Sequence, residues 1–191
     1  MEIRKTELND LPNLVTIFQE ELPLSIFNRL GQDFISDYFF VSLKHPDCIA
    51  LTATDGKRSI GFAVFCLNPM IIWLKTILKN PFRNFFSLFF LILKNPRLLF
   101  DLCLALLKER QTVKPELLSI AVKKELQNQG VGQALLQNIR NLLKEKGVTQ
   151  FKVGVWEEMT KANAFYQKMG AQFYYSTRLF GQTMNCYLYK I

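Results

Sequence analysis

The spacing of hydrophobic residues changes twice along the first third of the chain. Residues 1–7 alternate between polar and apolar as a strand does. From Leu11 to about residue 43, apolar residues recur at the three- and four-residue spacing of helices. Two β-rich runs follow at 47–54 and 59–67, and the Asp55-Gly56 pair between them is a hairpin signal. This part therefore predicts a strand, helices and a β-hairpin.

The last third predicts a regular exchange of strands and helices. The pattern indicates strands at 116–122 and 149–156, helices at 130–146 and 160–168, and a terminal antiparallel pair at 172–179 and 183–190. We therefore expect an α/β (α+β) fold, a mixed sheet with helices on both faces.

A basic, aromatic insertion separates these parts at residues 68–110. The phrase Ile-Leu-Lys-Asn-Pro occurs twice in it, and Asn-Pro is typical of a helix start. We expect three short apolar helices there, at 70–79, 81–94 and 96–109. The insertion carries +5 of the chain's net charge of +8, together with Trp73 and six phenylalanines.

Four interpretations of the insertion stay open. It packs on the core, forms a homodimer interface, lies on an anionic membrane surface as a peripheral contact, or builds an apolar acceptor or acyl pocket. Nucleic acid is disfavoured as a partner, because the phenylalanines follow one another in aliphatic sequence instead of standing among polar residues.

Composition excludes several classes of protein. The four cysteines lie far apart and His45 is the only histidine, so we expect no metal site. No uncharged apolar run reaches the about 20 residues that a membrane span needs. The first residues contain no apolar signal core. We expect a cytoplasmic protein, with membrane-peripheral contact as an option.

The chemistry-bearing motif follows the strand at 116–122. Gln127, Gly130 and Gly132 come after a short loop and open a helix. Glycines there let a ligand approach the backbone, and the free amides of a helix start suit phosphate. Taken alone, a glycine-rich turn between a strand and a helix often binds no ligand. It lacks the Walker lysine and the GxGxxG spacing, which disfavours a nucleotide P-loop or a Rossmann site.

A second motif downstream changes that interpretation. Ala162, Tyr166, Lys168 and Gly170 follow in order on the helix after the strand at 149–156. The two motifs together resemble those of the GNAT superfamily of N-acetyltransferases. The resemblance implies a mostly antiparallel GNAT-like sheet in one domain over 1–191, with 68–110 inserted into it.

The resemblance also implies acetyl-CoA as co-substrate and no metal. Pyrophosphate would meet the backbone amides of 128–133, pantetheine would pair with 120–122, and the amide near Ile120 would contact the thioester oxygen. Lys123, Lys124 and Lys168 are candidates for a 3′-phosphate. The implied cofactor-binding residues are Ile120, Ala121, Val122, Gln127, Asn128, Gln129, Gly130, Val131, Gly132, Gln133, Asn163 and Tyr166.

The implied catalytic residues are Tyr166, at the general-acid position, and Glu157 as a candidate base. A tyrosine and a thiol differ by about 1.5 pKa units, so we expect hydrogen bonding to the thiolate, or a lowered tyrosine pKa. The chain departs from the family at Met159 and at Gly154, where relatives carry Asn and Glu. We expect Asn163 to supply the polar contact that relatives make with an asparagine at position 159. Glu158 is the alternative base.

A site poor in bases favours an amine of low pKa. The predicted function is transfer of an acetyl group to a small-molecule primary amine, an α-amine or an amino sugar, by direct attack in a ternary complex. The alternative is a catalytically weak CoA-binding or membrane-associated interaction protein.

Overall fold

The computed structural model describes residues 1–56, 58–96, 113–179 and 181–191. Its strands are β1 Glu2–Lys5, β2 Cys48–Asp55, β3 Arg58–Cys66, β4 Glu116–Val122, β5 Gln150–Trp156, β6 Gln172–Leu179 and β7 Gln182–Lys190. Its helices are α1 Leu11–Glu21, α2 Ile26–Leu30, α3 Gln32–Lys44, α4 Pro69–Lys79, α5 Pro81–Lys94, α6 Val131–Glu145 and α7 Thr160–Lys168. The predicted α/β (α+β) fold is confirmed.

One seven-stranded sheet organises these elements in the order β1-β2-β3-β4-β5-β7-β6. Every neighbouring pair is antiparallel except β4 and β5, which run parallel. The parallel pair holds together only at its start, where Glu116 opposes Lys152 and Leu117 opposes Val153. The rest of the two strands is unpaired with each other, which opens a gap in the middle of the sheet.

Alternate residues of β3 enter two separate cores. Phe62, Val64 and Cys66 belong to the core that α1 to α5 cover, while Ala63 and Phe65 belong to the core under α6 and α7. This alternation is what a strand buried on both faces requires. Helices therefore cover both faces of the sheet, as the sequence predicts.

Most predicted element boundaries are correct to within a few residues. The helical stripe over 24–43 is divided into α2 and α3 at Gly31, whose φ of +95° suits only glycine well. The predicted helices at 70–79 and 81–94 are α4 and α5, each beginning with proline after asparagine. The helix predicted at 96–109 lies almost wholly outside the described residues. No helix among the described residues is both long and apolar enough to cross a bilayer.

Asp37 of α3 joins the insertion to the core. Its carboxylate accepts hydrogen bonds from Lys79 Nζ (3.0 Å), Asn80 Nδ2 (2.9 Å), Asn84 Nδ2 (2.9 Å) and Arg83. Burial by itself would raise the pKa of this carboxyl, but the four donors outweigh burial and lower the pKa to about 2. The connection between α4 and α5 is thus fixed by a buried carboxylate.

Candidate active site

A β-bulge in β4 lies at the point where the strand begins to border the gap in the sheet. Ser119 opposes Val64 and Leu117 opposes Phe65, so Leu118 is the extra residue on β4. After the bulge, Lys123 N–H donates to Ile60 of the neighbouring strand at 2.9 Å. Because backbone groups alternate along a strand, the amides of residues 120 and 122 point the other way, into the gap. This is the orientation that an oxyanion contact at Ile120 requires.

The loop after β4 presents backbone to the same gap. Asn128 and Gly130 both have positive φ, of 62° and 84°. Gly130 is the N-cap of α6, and its carbonyl accepts the first helical bond from Ala134 N–H at 2.9 Å. The amides of residues 131–133 therefore precede the first α-helical bond, where an anion is favoured by the free N–H groups and the helix dipole.

Two side chains fix the position of this loop. Gln127 Nε2 donates to the Val122 carbonyl at 3.0 Å and to Glu21 Oε2 at 2.9 Å. The other oxygen of Glu21 accepts from Lys124 N–H at 2.8 Å. The end of α1 is thus tied to the loop. Sequence reasoning missed Glu21, since nothing local connects it to a loop about one hundred residues away.

A cavity of about 1410 Å³ runs through the gap between β4 and β5. Nine of the predicted cofactor residues line it: Ile120, Ala121, Val122, Gln127, Asn128, Gly130, Gly132, Gln133 and Tyr166. Three others, Gln129, Val131 and Asn163, are outside the lining. Val131 is buried in the core under α6, and Gln129 bonds the Glu125 carbonyl at 3.1 Å.

Tyr166 lies at the base of this gap, on α7. Its side chain is buried, yet it lines the cavity, and its hydroxyl has no hydrogen-bond partner among the described residues. Burial, aided by the nearby Tyr189, raises its pKa. The expected alternative of a lowered tyrosine pKa therefore does not fit this geometry, which leaves hydrogen bonding from a protonated hydroxyl.

Asn163 is occupied by contacts within the protein. Its Nδ2 donates to the carbonyls of Trp156 (2.9 Å) and Met159 (2.8 Å), and its Oδ1 accepts from Tyr187 Oη (2.8 Å) and Asn185 Nδ2 (3.2 Å). These bonds hold the turn between β5 and α7. Its side chain is directed at this turn and at β7, so any effect of Asn163 on a bound ligand is indirect.

The two candidate bases, Glu157 and Glu158, differ in their relation to the cavity. Glu157 is exposed and outside the cavity lining, whereas Glu158 lines the cavity. The other lining carboxylates have partners, because Glu21 binds the loop and Glu116 lies 3.6 Å from Lys152. Glu158 is thus the better placed base candidate.

Gly154, at the position where GNAT relatives carry glutamate, lies beside the thioether of Met184. A Cβ on Gly154 would lie 2.9 Å from Met184 Sδ, closer than atoms pack. Glycine and methionine therefore fit each other, and Met184 also lines the cavity. This part of the site is apolar.

The opposite wall of the cavity is apolar as well. It is formed by α1, α2, α4 and α5 through Phe18, Leu22, Ile26, Phe27, Leu30, Trp73, Ile77 and Leu88. The Trp73 ring meets Phe27 with centroids 4.7 Å apart, so α4 is part of this wall. The insertion therefore contributes directly to the cavity, as the pocket interpretation predicts.

Charged groups at the cavity are few. Lys161 and Lys168 line it, whereas the other phosphate candidates, Lys123 and Lys124, do not. Over the residues that the structure describes, no group of three or more histidine, cysteine, aspartate or glutamate side chains could hold a metal ion.

Comparison with known proteins agrees with this geometry. The family model described as "Acetyltransferase (GNAT) domain" matches residues 89–170. No curated protein matches the chain significantly. Among solved structures, the ribosomal-protein-S18-alanine N-acetyltransferase of Escherichia coli is 17% identical with a TM-score of 0.65, covering 100% of this chain and 93% of the other.

Two further structures share the fold over nearly their whole length. The PaiA N-acetyltransferase of Thermoplasma acidophilum, solved in complex with coenzyme A, is 17% identical, with a TM-score of 0.63 and 98% of each chain covered. The ribosomal-protein-alanine N-acetyltransferase of Brucella melitensis is 14% identical, with a TM-score of 0.62 and 100% of each chain covered. The predicted resemblance to the GNAT superfamily is confirmed: the family model matches residues 89–170, and the solved structures share the fold.

Proposed function

We propose that this chain, which resembles GNAT acetyltransferases in a family match over residues 89–170 and in its fold, transfers an acetyl group from acetyl-CoA to a primary amine. The observation that supports this most strongly is the gap between β4 and β5, which joins a helix start with free amides to the buried hydroxyl of Tyr166. A pantetheine arm needs such a channel, with an anion site at one end and a thiol site at the other.

The donor is held mainly by backbone. The amides of residues 131–133 at the start of α6 bind the pyrophosphate, and the amides and carbonyls of β4 beyond its bulge pair with the pantetheine arm. The positive φ of Asn128 and Gly130 shapes the loop that carries this site. Lys168, which lines the cavity, is the candidate cation for the 3′-phosphate.

The acetyl transfer needs one new bond and one broken bond. The neutral amine forms a C–N bond to the acetyl carbon, the C–S bond breaks, and one proton moves from the amine to the departing thiolate, directly or through solvent. The oxygen of the tetrahedral intermediate is stabilised by the amide of Ile120, which faces the gap. Tyr166 stabilises the thiolate by donating a hydrogen bond from its protonated hydroxyl.

The acceptor is an amine of low pKa on an apolar body. Glu158 is the one cavity carboxylate to which the structure gives no protein partner, within its described part, and it is exposed. An amine near pKa ~8 costs only about 1.4 kcal/mol to deprotonate at pH 7. The wall formed by Phe27, Trp73 and Ile77 favours an α-amine or aryl-type amine with apolar substituents over a hydroxyl-rich amino sugar.

The test is a comparison of Tyr166→Phe with the native protein on a panel of amines. We expect kcat to fall by about 10²-fold while CoA affinity stays within a factor of two or so, because the ring keeps its packing and only the hydroxyl is lost. Phe165→Leu, beside it on α7, is the control for a change in packing. Equal kcat in Tyr166→Phe and native protein would contradict the role given to the hydroxyl.

A second function has one observation in its favour. Gly154 and Met184 replace a carboxylate with a tightly packed apolar contact, which suits a CoA-binding protein without strong catalysis. This alternative would be favoured if calorimetry shows CoA binding while the protein neither hydrolyses acetyl-CoA nor acetylates any amine of the panel. Turnover that depends on Tyr166 would favour the enzyme.

A further inference from the structure

The helices α4 and α5 expose a continuous apolar face. Eight large apolar side chains on it are 43% to 82% exposed: Leu74, Leu78, Phe82, Phe85, Phe86, Phe89, Phe90 and Leu93. Neighbouring phenylalanine rings touch, with Phe85 and Phe89 centroids 6.2 Å apart and Phe89 and Phe90 centroids 5.9 Å apart. We call these eight residues the α4–α5 face. A patch of this kind needs an apolar partner.

The charges on α4 and α5 themselves are all positive, although Arg83 also pairs with the exposed Asp33 of α3 at 3.3 Å. Residues 68–96 contain four cations and no acidic residue. Lys79 and Arg83 are bound by Asp37 of α3, while Lys75 and Lys94 have no acidic partner within the described residues. The surroundings of the face are therefore suited to a negatively charged partner.

A small basic cavity adjoins the face. Its volume is about 240 Å³, and its lining includes Arg29, Ser87 and Lys94, with Phe90 of the α4–α5 face at its edge. Two cations and a hydroxyl are the donors that bind a phosphate group. An apolar surface and a small basic cavity thus lie side by side.

We propose that the α4–α5 face docks on an anionic phospholipid bilayer, with its phenylalanines among the upper acyl chains and Arg29 and Lys94 on lipid phosphates. Apolar helices flanked by cations bind membrane interfaces in this way. A second copy of the chain is a poorer occupant, because pairing the face with itself would bring Lys75 and Lys94 toward their own copies with no acidic residue on α4 or α5 to meet them. This proposal is independent of the acetyl transfer.

Vesicle flotation tests the proposal with the full chain. The two lipid mixtures are phosphatidylcholine alone and phosphatidylcholine with about one third phosphatidylglycerol. We expect the native protein to float with the anionic vesicles, and Phe86→Ser/Phe90→Ser to bind them at least about tenfold more weakly. Phe173→Ser is the control, since Phe173 is also exposed (61%) but lies on β6.

A second pair of variants tests the basic cavity. Arg29→Gln/Lys94→Gln should lose most of the preference for anionic over neutral vesicles, whereas Lys144→Gln on α6 should keep it. Near-ultraviolet circular dichroism and the midpoint of urea unfolding check that each variant is folded. The substituted side chains are surface groups, so these should match the native protein.

Three results would overturn the proposal. They are the absence of native protein on anionic vesicles at low salt, equal binding by the phenylalanine variant, and self-association in sedimentation velocity that the phenylalanine variant abolishes. The last result would assign the α4–α5 face to a second copy of the chain.

Discussion

The buried carboxylate of Asp37 is expected to stabilise the fold by an amount that its pKa sets. The side chain is 4% exposed, and its pKa is about 2 against an ordinary 3.8. At about 1.4 kcal/mol per pKa unit, ionisation of this carboxyl favours the folded state by about 2.5 kcal/mol at neutral pH. We expect Asp37→Asn to lose at least about 2 kcal/mol, because an amide also turns a donor toward Asn80 and Asn84.

A matched control lies one helical turn earlier. Asp33 also pairs with Arg83, at 3.3 Å, but its side chain is 72% exposed. Ion pairs between exposed groups contribute little, so Asp33→Asn should change the free energy of unfolding by less than about 0.5 kcal/mol. Urea unfolding followed by circular dichroism measures both. The melting temperature should fall by about 4–8 °C for Asp37→Asn alone.

The pH dependence supplies a second readout. The pKa of Asp37 is lower in the folded than in the unfolded chain, so its stabilisation is complete above about pH 5 and is lost as the pH falls toward 2. The difference between native protein and Asp37→Asn should therefore shrink over that range. Equal losses for the two variants at pH 7, or a difference that persists unchanged at pH 2, would refute the reasoning.

Two other positions make sharp predictions. Gly130→Ala should lower the free energy of unfolding by about 1 kcal/mol, because φ is +84° there and a Cβ meets nothing within 4 Å, so the cost is purely backbone strain. Gly132→Ala, inside α6 with ordinary contacts at 3.8 Å, should raise the free energy of unfolding by up to about 1 kcal/mol, because alanine favours a helix over glycine, and urea unfolding compares the two variants. Asn163→Ala should cost about 2 kcal/mol and lower kcat, since buried carbonyls and a hydroxyl lose their partner. Asn138→Ala, which loses one exposed bond on α6, is its control, and similar losses in both would contradict the prediction.

The sequence predicts the elements well because their signals are local. Helix periodicity, the Asn-Pro starts of α4 and α5, and the glycines of the α6 loop each act within one or two turns of chain. The strand order and the bulge at Leu118 have no such local signal, because they arise from pairing between distant segments. The gap that forms the site has no local signal either, because it depends on how far β4 and β5 pair.

The sequence leaves the choice between Glu157 and Glu158 as base open. Glu157 and Glu158 follow the end of β5, where a change of one residue moves a side chain to another side of the backbone. Sequence alone gives no way to choose between them.

Asp37 is different, because a charged residue among the buried positions Phe34, Tyr38 and Val41 of α3 signals an internal partner. Its partners lie more than forty residues away, so the sequence could indicate that Asp37 has an internal partner but not which residues it contacts.

The departure at Gly154 has a consequence for the choice of acceptor. The Met184 side chain lies in the space that a Cβ at Gly154 would occupy, and β5 carries no carboxylate. Deprotonating an amine of pKa ~10.4 at pH 7 would cost about 4–5 kcal/mol, which a site with only an exposed Glu158 supplies poorly. An amine near pKa ~8 avoids most of that cost, and its apolar substituents match the wall that the insertion provides through Trp73 and Ile77.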